Sequence, residues 1–302
     1  MPKVFASVDI GSNAVRLLFA SVYENSGGEI IPEKATLVRI PVRLGMDVFA
    51  TGRISAFRQS MLIRTLQAFK LLIDVYDPIS YRACATAAMR EAANRTEVLH
   101  AIKEATGFEI AVIDGHEEAR LISSCNNFHL NPAIRHNLYI DVGGGSTELS
   151  LFDGKNLLAS ESFNIGTIRL MNDRVNDEAW GLMKDWIKNN IPVGEKINCI
   201  GSGGNINKLV KLFGGPTDFV ISRKKLKGAY ELLRDMTVQE RADRYGMRSD
   251  RADVIVPAAE IFLKITKWGK ISRITAPKFG LADGLAIEQF LAWKASTEGT
   301  NL

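Results

Sequence analysis

One pattern occurs twice in the chain and leaves few folds open. Asp9-Ile-Gly-Ser-Asn-Ala-Val-Arg-Leu17 lines up with Asp141-Val-Gly-Gly-Gly-Ser-Thr-Glu-Leu149, 132 positions later, sharing the Asp, the β-branched residue, the Gly and the closing Leu. Each copy follows an apolar run (Val4 to Val8; Leu138 to Ile140) and precedes a second (Val15 to Tyr23; Glu148 to Phe152). A polar or glycine-rich turn then leads to a third (Glu29 to Arg39; Leu157 to Phe163). Strand, glycine turn, strand, turn, strand predicts an antiparallel meander, made twice.

Behind each meander the pattern changes to alternating helix and strand, the signature of an α/β protein. In the first half the periodicity predicts a helix over Ser55 to Val75 with Ser55 as cap, then a strand over Ile79 to Thr86. A helix over Glu91 to Ala105, a strand over Glu109 to Ile113 and a helix over Glu117 to Asn126 follow. In the second half helices are expected over Asn176 to Asn189, Asn205 to Leu212, Arg223 to Arg234, Asp250 to Trp268 and Asp283 to Lys294. The strands there are Asn198 to Gly201 and Ile271 to Thr275. A length of 302 residues suits two domains. They are expected at 1–122 and 123–302, facing each other across a cleft, with the last helix able to pack back on the first lobe.

Composition removes several classes of protein. With 46% hydrophobic and 24% charged residues the chain is neither disordered nor fibrous. No run approaches the roughly 18 apolar residues of a membrane span, and Val4 to Val8 is stopped at once by Asp9, which excludes a signal-peptide core. Three scattered cysteines, Cys84, Cys125 and Cys199, fit a reducing cytoplasm. A net charge of +4 favours polyanionic ligands mildly and is too weak to argue for nucleic acid.

Chemistry concentrates in the glycine turns. In Asp9-Ile-Gly-Ser-Asn13 a carboxylate at a strand end is followed by amides that can close on an anion. Asp141-Val-Gly-Gly-Gly-Ser-Thr-Glu148 repeats the design with three glycines, which suits phosphate on the amides and a hard metal on the carboxylates. Gly201-Ser-Gly-Gly-Asn205 ends a strand and opens a helix, another anion site, without G-x-G-x-x-G or Walker A spacing. Gly115-His-Glu-Glu-Ala-Arg120 begins a helix after a strand, where acidic residues also serve as dipole partners. The four histidines, His100, His116, His129 and His136, form no metal-binding pattern, and no nucleophile elbow is present. Nine Lys/Arg against five Asp/Glu between Arg223 and Arg251 read as a solvated helical face.

Together with Ala85-Thr-Ala-Ala-Met-Arg90, these segments resemble, in order and over roughly residues 1 to 290, the exopolyphosphatase/guanosine pentaphosphate phosphohydrolase (Ppx/GppA) family. The resemblance implies two ribonuclease-H-like lobes of the actin/Hsp70/sugar-kinase superfamily, in a short member without the additional C-terminal helical domains of longer ones. It implies removal of terminal phosphate from polyphosphate or pppGpp with Mg²⁺. Carried over residue by residue, Glu118 activates water, and Asp9, Asp141 and Glu148 lie near the metal. Gly11, Ser12, Asn13, Gly143, Gly144, Gly145, Ser146 and Gly203 lie on phosphate oxygens. Arg90 reaches phosphate from the first lobe, and Arg43, in Val42-Arg-Leu-Gly45, occupies a basic position of the family's third-strand segment. Two departures stand out: Asn205 where the family's glycine loop continues with Thr, and Ala282 in Gly280-Leu-Ala-Asp-Gly284 where the family carries a cation.

Two rival readings remain at this point. The same superfamily hosts ATP-dependent small-molecule kinases, although neither an adenosine pocket nor an acceptor site has a separate signature. A non-catalytic polyphosphate or alarmone sensor would not need Glu118, Asp141 and Glu148 together. A homodimer is compatible with the chain's size.

Overall fold

Both hairpins form where alternating apolar residues flank a four-residue turn, and the two are superimposable in register. The computed structural model describes residues 3–125, 133–154, 156–192, 194–215 and 219–298. His129, and Asn126 at the expected end of a helix, lie outside the described residues. β1 (Lys3–Ile10), β2 (Val15–Glu24) and β3 (Ile30–Ile40) make the first antiparallel meander. β6 (His136–Val142), β7 (Thr147–Asp153) and β8 (Asn156–Phe163) make the second. Ile10 faces Val15 in one hairpin and Val142 faces Thr147 in the other, the same offset of 132 carried into three dimensions.

The chain divides into two compact units, residues 1–125 with 280–302, and residues 126–279. In unit 1 the meander is followed by α1 (Leu44–Thr51), α2 (Ala56–Tyr76), β4 (Ser80–Ala85), α3 (Ala87–Glu91), α4 (Arg95–Thr106), β5 (Ile110–Val112) and α5 (Gly115–Ser123). β4 and β5 add in parallel, giving the order β3-β2-β1-β4-β5. The helix expected over Glu91 to Ala105 is α4, which starts only at Arg95, with Glu91 ending the separate short α3. The break falls at Asn94, whose buried amide accepts from Ile54 N and donates to Ile54 O, both at 2.9 Å.

Unit 2 continues from its meander with α6 (Thr167–Met171), α7 (Asp177–Asn190), β9 (Ile197–Ser202), α8 (Gly204–Phe213), β10 (Val220–Ser222), α9 (Arg223–Arg234) and α10 (Val238–Tyr245). α11 (Ser249–Ala252), α12 (Ile255–Trp268) and β11 (Arg273–Thr275) complete it. The order β10-β11-β9-β6-β7-β8 repeats that of unit 1, with β9 and β11 parallel to β6 and β10 added antiparallel at the edge. This repetition is the ribonuclease-H-like topology in both lobes. Here too one expected helix, Asp250 to Trp268, is split. Arg241 Nη1 donates to Ala252 O at 2.7 Å and so takes the carbonyl that would continue the helix. α12 lies centrally, burying Ile255, Ile261, Phe262 and Ile265 with Leu149 and Leu151 of the sheet in one core.

The last helix, α13 (Leu281–Glu298), belongs to unit 1. Its Ala282, Ala286 and Phe290 pack with Phe5, Leu18, Ala20 and Val22 from β1 and β2. Ala282, at the family's cation position, thus fills a core site, and the small side chain suits that packing.

Candidate active site

In unit 1, β1 and β2 set Asp9 directly opposite Arg16, and Arg16 Nη1 donates to Asp9 Oδ2 at 2.6 Å. The turn between them closes through Gly11 N–H to Ala14 O at 3.1 Å. A second layer holds it: Ser12 O accepts Gly45 N–H at 2.9 Å and Asn13 O accepts Arg43 N–H at 3.1 Å. Arg43, which the family resemblance placed in the third-strand segment, lies past the end of β3 at Ile40 and precedes α1 as its N-cap. Its φ of 59° is a left-handed conformation that costs energy outside glycine. That bend lets the Arg43 and Gly45 amides both reach the Ser12-Asn13 turn, while the guanidinium turns to Met46 Sδ at 3.6 Å.

Glu118 stands on α5, which starts at Asp114; the Asp114 side chain accepts Glu117 N–H at 2.8 Å, an N-cap. The adjacent glutamates part company at once, because neighbouring helical positions point about 100° apart. Glu117 takes both hydrogen bonds of the Arg120 fork at 2.7 Å. Those bonds hold its carboxyl below the usual carboxylate range and push the guanidinium up. Glu118 faces inward, 9% exposed. Cys84 lies opposite Asp9 on β4, and its thiol is pushed well up by burial and then by the charges of Asp9 and Glu118. Both carboxylates therefore act on the same strand end. Arg90, on α3, donates from Nη1 to Ile113 O at 2.9 Å, at the junction where β5 passes into α5.

Unit 2 repeats the turn with one decisive change. Gly143 N–H bonds Ser146 O at 2.9 Å, the equivalent of the Gly11 bond. The residue opposite Asp141, however, is Glu148, where Asp9 faces Arg16. Glu148 is 2% exposed and accepts from Ser162 Oγ at 2.9 Å. Like charges directly opposite on paired strands repel. A hard divalent cation with oxygen ligands turns that repulsion into attraction, so the Asp141–Glu148 donor set fits a divalent metal ion.

Four successive residues not singled out in the sequence, Gly166 to Arg169, shape the triglycine turn from behind. Gly143 O accepts Thr167 N–H at 3.0 Å, Gly144 O accepts Ile168 N–H at 2.8 Å, and Arg169 Nε donates to Gly145 O at 2.5 Å. Anchoring three successive carbonyls fixes the peptide planes, the condition for a phosphate-binding nest. Gly166 makes the approach feasible: a Cβ there would lie 2.4 Å from Gly144 O and 2.5 Å from the Gly145 carbonyl carbon. Gly166→Ala is expected to displace the turn and lower turnover about 10²-fold, the scale of a 1 Å misplacement. Steady-state rates beside a thermal melt test this; near-normal turnover in a folded variant would show the turn tolerates the shift.

The third glycine loop sits beside Asp141. Gly203 has φ of 96°, caps α8, and a Cβ on it would lie 3.2 Å from Asp141 Oδ1. Arg251 Nη2 would lie 3.0 Å from a Cβ on Gly204, placing a guanidinium at the helix N-terminus. Burial first, and then Lys211 and Arg251, hold the Lys208 ammonium below its usual range. The Arg251 guanidinium beside a helix N-terminus that begins Gly204-Asn205 favours an anion. Arg251 was hidden in the sequence inside a basic run that looks solvated; only the fold brings it to the glycines.

Two lobes of matching ribonuclease-H-like topology, each carrying a carboxylate–glycine hairpin at the same strand end, define a duplicated α/β protein with glycine turns suited to phosphate. The model of the Ppx/GppA phosphatase family matches residues 30–292, and the chain belongs to that family. Exopolyphosphatase 1 of Mycobacterium leprae is 24% identical over 315 aligned residues, covering 98% of this chain and 91% of the relative. A guanosine-5'-triphosphate,3'-diphosphate pyrophosphatase of Photobacterium profundum is 26% identical over 306 residues, 94% of this chain and 59% of that protein. Among solved structures, the Aquifex aeolicus Ppx/GppA family member is 25% identical with a TM-score of 0.75, covering 97% of this chain and 99% of its own. An exopolyphosphatase from Cytophaga hutchinsonii, 23% identical, has the same fold at a TM-score of 0.81, covering 93% of this chain and 96% of its own.

Proposed function

We propose that the chain is a phosphoanhydride hydrolase that removes the terminal phosphate from inorganic polyphosphate, pppGpp or both. The observation that carries this reading is the duplicated carboxylate–glycine hairpin, in a chain whose relatives are named for those two activities. Glu118 takes a proton from water as its oxygen attacks the terminal phosphorus, and the anhydride P–O bond breaks to release a chain shorter by one phosphate. The amides of Gly11, Ser12 and Asn13 in one turn, and of Gly143, Gly144, Gly145 and Ser146 in the other, take up the charge on the phosphoryl oxygens. Gly203 with Arg251, and more remotely Arg43, serve the following phosphates.

Asp141 and Glu148 would hold Mg²⁺; the assignment of Asp9 to the metal rests on the family resemblance alone. Bound there, the ion supplies Lewis-acid neutralisation of phosphate charge. No helix among the described residues is long and apolar enough to cross a membrane. A cytoplasmic location and a homodimer belong to the same proposal.

Arg90 is assigned to phosphate as well as to Ile113 O. Arg90→Ala should raise KM about tenfold or more and flatten its salt dependence, because a fixed guanidinium on phosphate is a charge-assisted contact. An unchanged KM for each anhydride would return Arg90 to a purely structural role. The proposal as a whole is tested by phosphate release from long polyphosphate, short polyphosphate and pppGpp, with and without Mg²⁺. No release from any of them overturns it; ATP turnover that needs an added acceptor points to the kinase reading.

A further inference from the structure

Helix α5 is nine residues long, too short to be rigid on its own. Its first turn is fixed by the Asp114 cap. Its second half lies against α13, and there the two backbones all but touch. A Cβ on Gly284 would stand 2.0 Å from Leu121 O and 2.6 Å from the Leu121 carbonyl carbon. Glu288, one turn further along the same face of α13, bridges two elements: it accepts from Arg120 Nη2 of α5 at 2.6 Å and pairs with Arg82 of β4. Arg120 is the residue whose fork holds Glu117, so the ion chain runs from β4 through α13 to the first turn of α5. Beneath it, Leu281 and Leu285 pack with Leu121, Ile122, Cys84 and Ile113.

α13 is in turn locked to the sheet independently of α5. Asp283 accepts Lys34 Nζ at 2.9 Å and Gly280 N–H at 3.0 Å. Gln289, buried, donates to Ala6 O at 3.0 Å and accepts from Ser80 Oγ at 2.8 Å. α5 thus rests on a helix that is itself registered to β1, β3 and β4. Glu118 lies between the cap and the Leu121 contact.

We propose that Gly284 and Glu288 are positioning residues for Glu118: Gly284 sets how deep α5 lies, and Glu288 sets its rotation. This rests on reading Glu118 as the group that activates water. A methyl at 284 forces the helices apart by about 1 Å, and a misplacement of that size costs about 10²-fold in rate. Losing Glu288 removes only partly exposed ion pairs, so stability changes little while Arg120 and the second turn of α5 lose their tie to α13.

The test measures kcat and KM on inorganic polyphosphate for Gly284→Ala and Glu288→Ala, with hydrogen exchange of the 115–123 amides. Expected are a kcat loss of about 10²-fold for the first and about three- to tenfold for the second. KM should stay within about twofold, because the phosphates are held by other groups, and exchange should quicken in α5 and not in β1 or β4. If Gly284→Ala does not fold, Glu288→Ala decides. Unchanged exchange in α5 overturns the support role, and quickened exchange with unchanged kcat overturns its link to catalysis. Failure of the underlying reading looks different: full turnover in Glu118→Gln removes the base while exchange still reports on the contact.

Discussion

Glu118→Gln is expected to bind its phosphate chain and hardly turn it over. The amide has nearly the volume of the carboxylate and still hydrogen-bonds water, but it cannot accept water's proton; loss of a general base costs about 10²- to 10⁴-fold. Binding should persist or tighten slightly, since one anion leaves a site for a polyanion. Glu117→Gln is the matched comparison. Glu117 spends both oxygens on Arg120, and Gln keeps one acceptor for that fork, so its rate should fall by no more than about fivefold, the scale of a partly exposed ion pair. Single-turnover hydrolysis and equilibrium binding on both variants make the test. A dead Glu117→Gln beside an active Glu118→Gln would reverse the assignment within the pair, and activity in both would remove the mechanism.

The parts of the fold that were legible in the sequence are those set by neighbours in the chain. The two meanders, their turns and even the equivalence of the Gly11 and Gly143 bonds follow from alternation around a repeated four-residue turn. The helix cap at Ser55 is a local hydrogen bond of the same kind. What escaped is tertiary. Asn94 breaks a helix because it meets Ile54, forty residues earlier. Nothing in Val42-Arg-Leu-Gly45 announces a left-handed residue at Arg43; the Asn13 carbonyl that it meets is supplied by the first hairpin.

The site shows the same division. Asp141 and Glu148 could be paired by counting across a hairpin, and Asp9 opposite Arg16 by the same count. Gly166 carries no motif, since its reason for being glycine is the Gly144 carbonyl, twenty-two residues away. Arg251 sits in a stretch whose composition suggests solvent. Ala282, where the family carries a cation, lies among Phe5, Leu18 and Phe290, so the substitution is absorbed by the core of unit 1.

The difference between the two hairpins yields the second large expectation. Asp9 opposite Arg16 is a neutral pair, complete in itself; Asp141 opposite Glu148 carries two negative charges on one strand pair. Glu148→Gln keeps the shape and an acceptor for Ser162 Oγ while removing one of those charges. Without metal the variant should melt no lower than the parent, because cross-strand repulsion, worth up to about 1 kcal/mol, is gone. With saturating Mg²⁺ the order should reverse: the parent gains the larger thermal shift, since binding stabilises only the state that holds the ion. Turnover should follow, falling about 10²-fold in Glu148→Gln and in Asp141→Ala, and to background for the parent in chelator. Asp9→Asn is the counterpart, because it takes charge from a neutral pair and leaves Arg16 short of its carboxylate, so it should lower the melting temperature with or without Mg²⁺. Melting curves with and without Mg²⁺ on the three proteins, alongside phosphate release, separate these signs. Full activity of the parent in chelator, or a Glu148→Gln protein that gains as much from Mg²⁺ as the parent does, would take the metal away from Asp141 and Glu148.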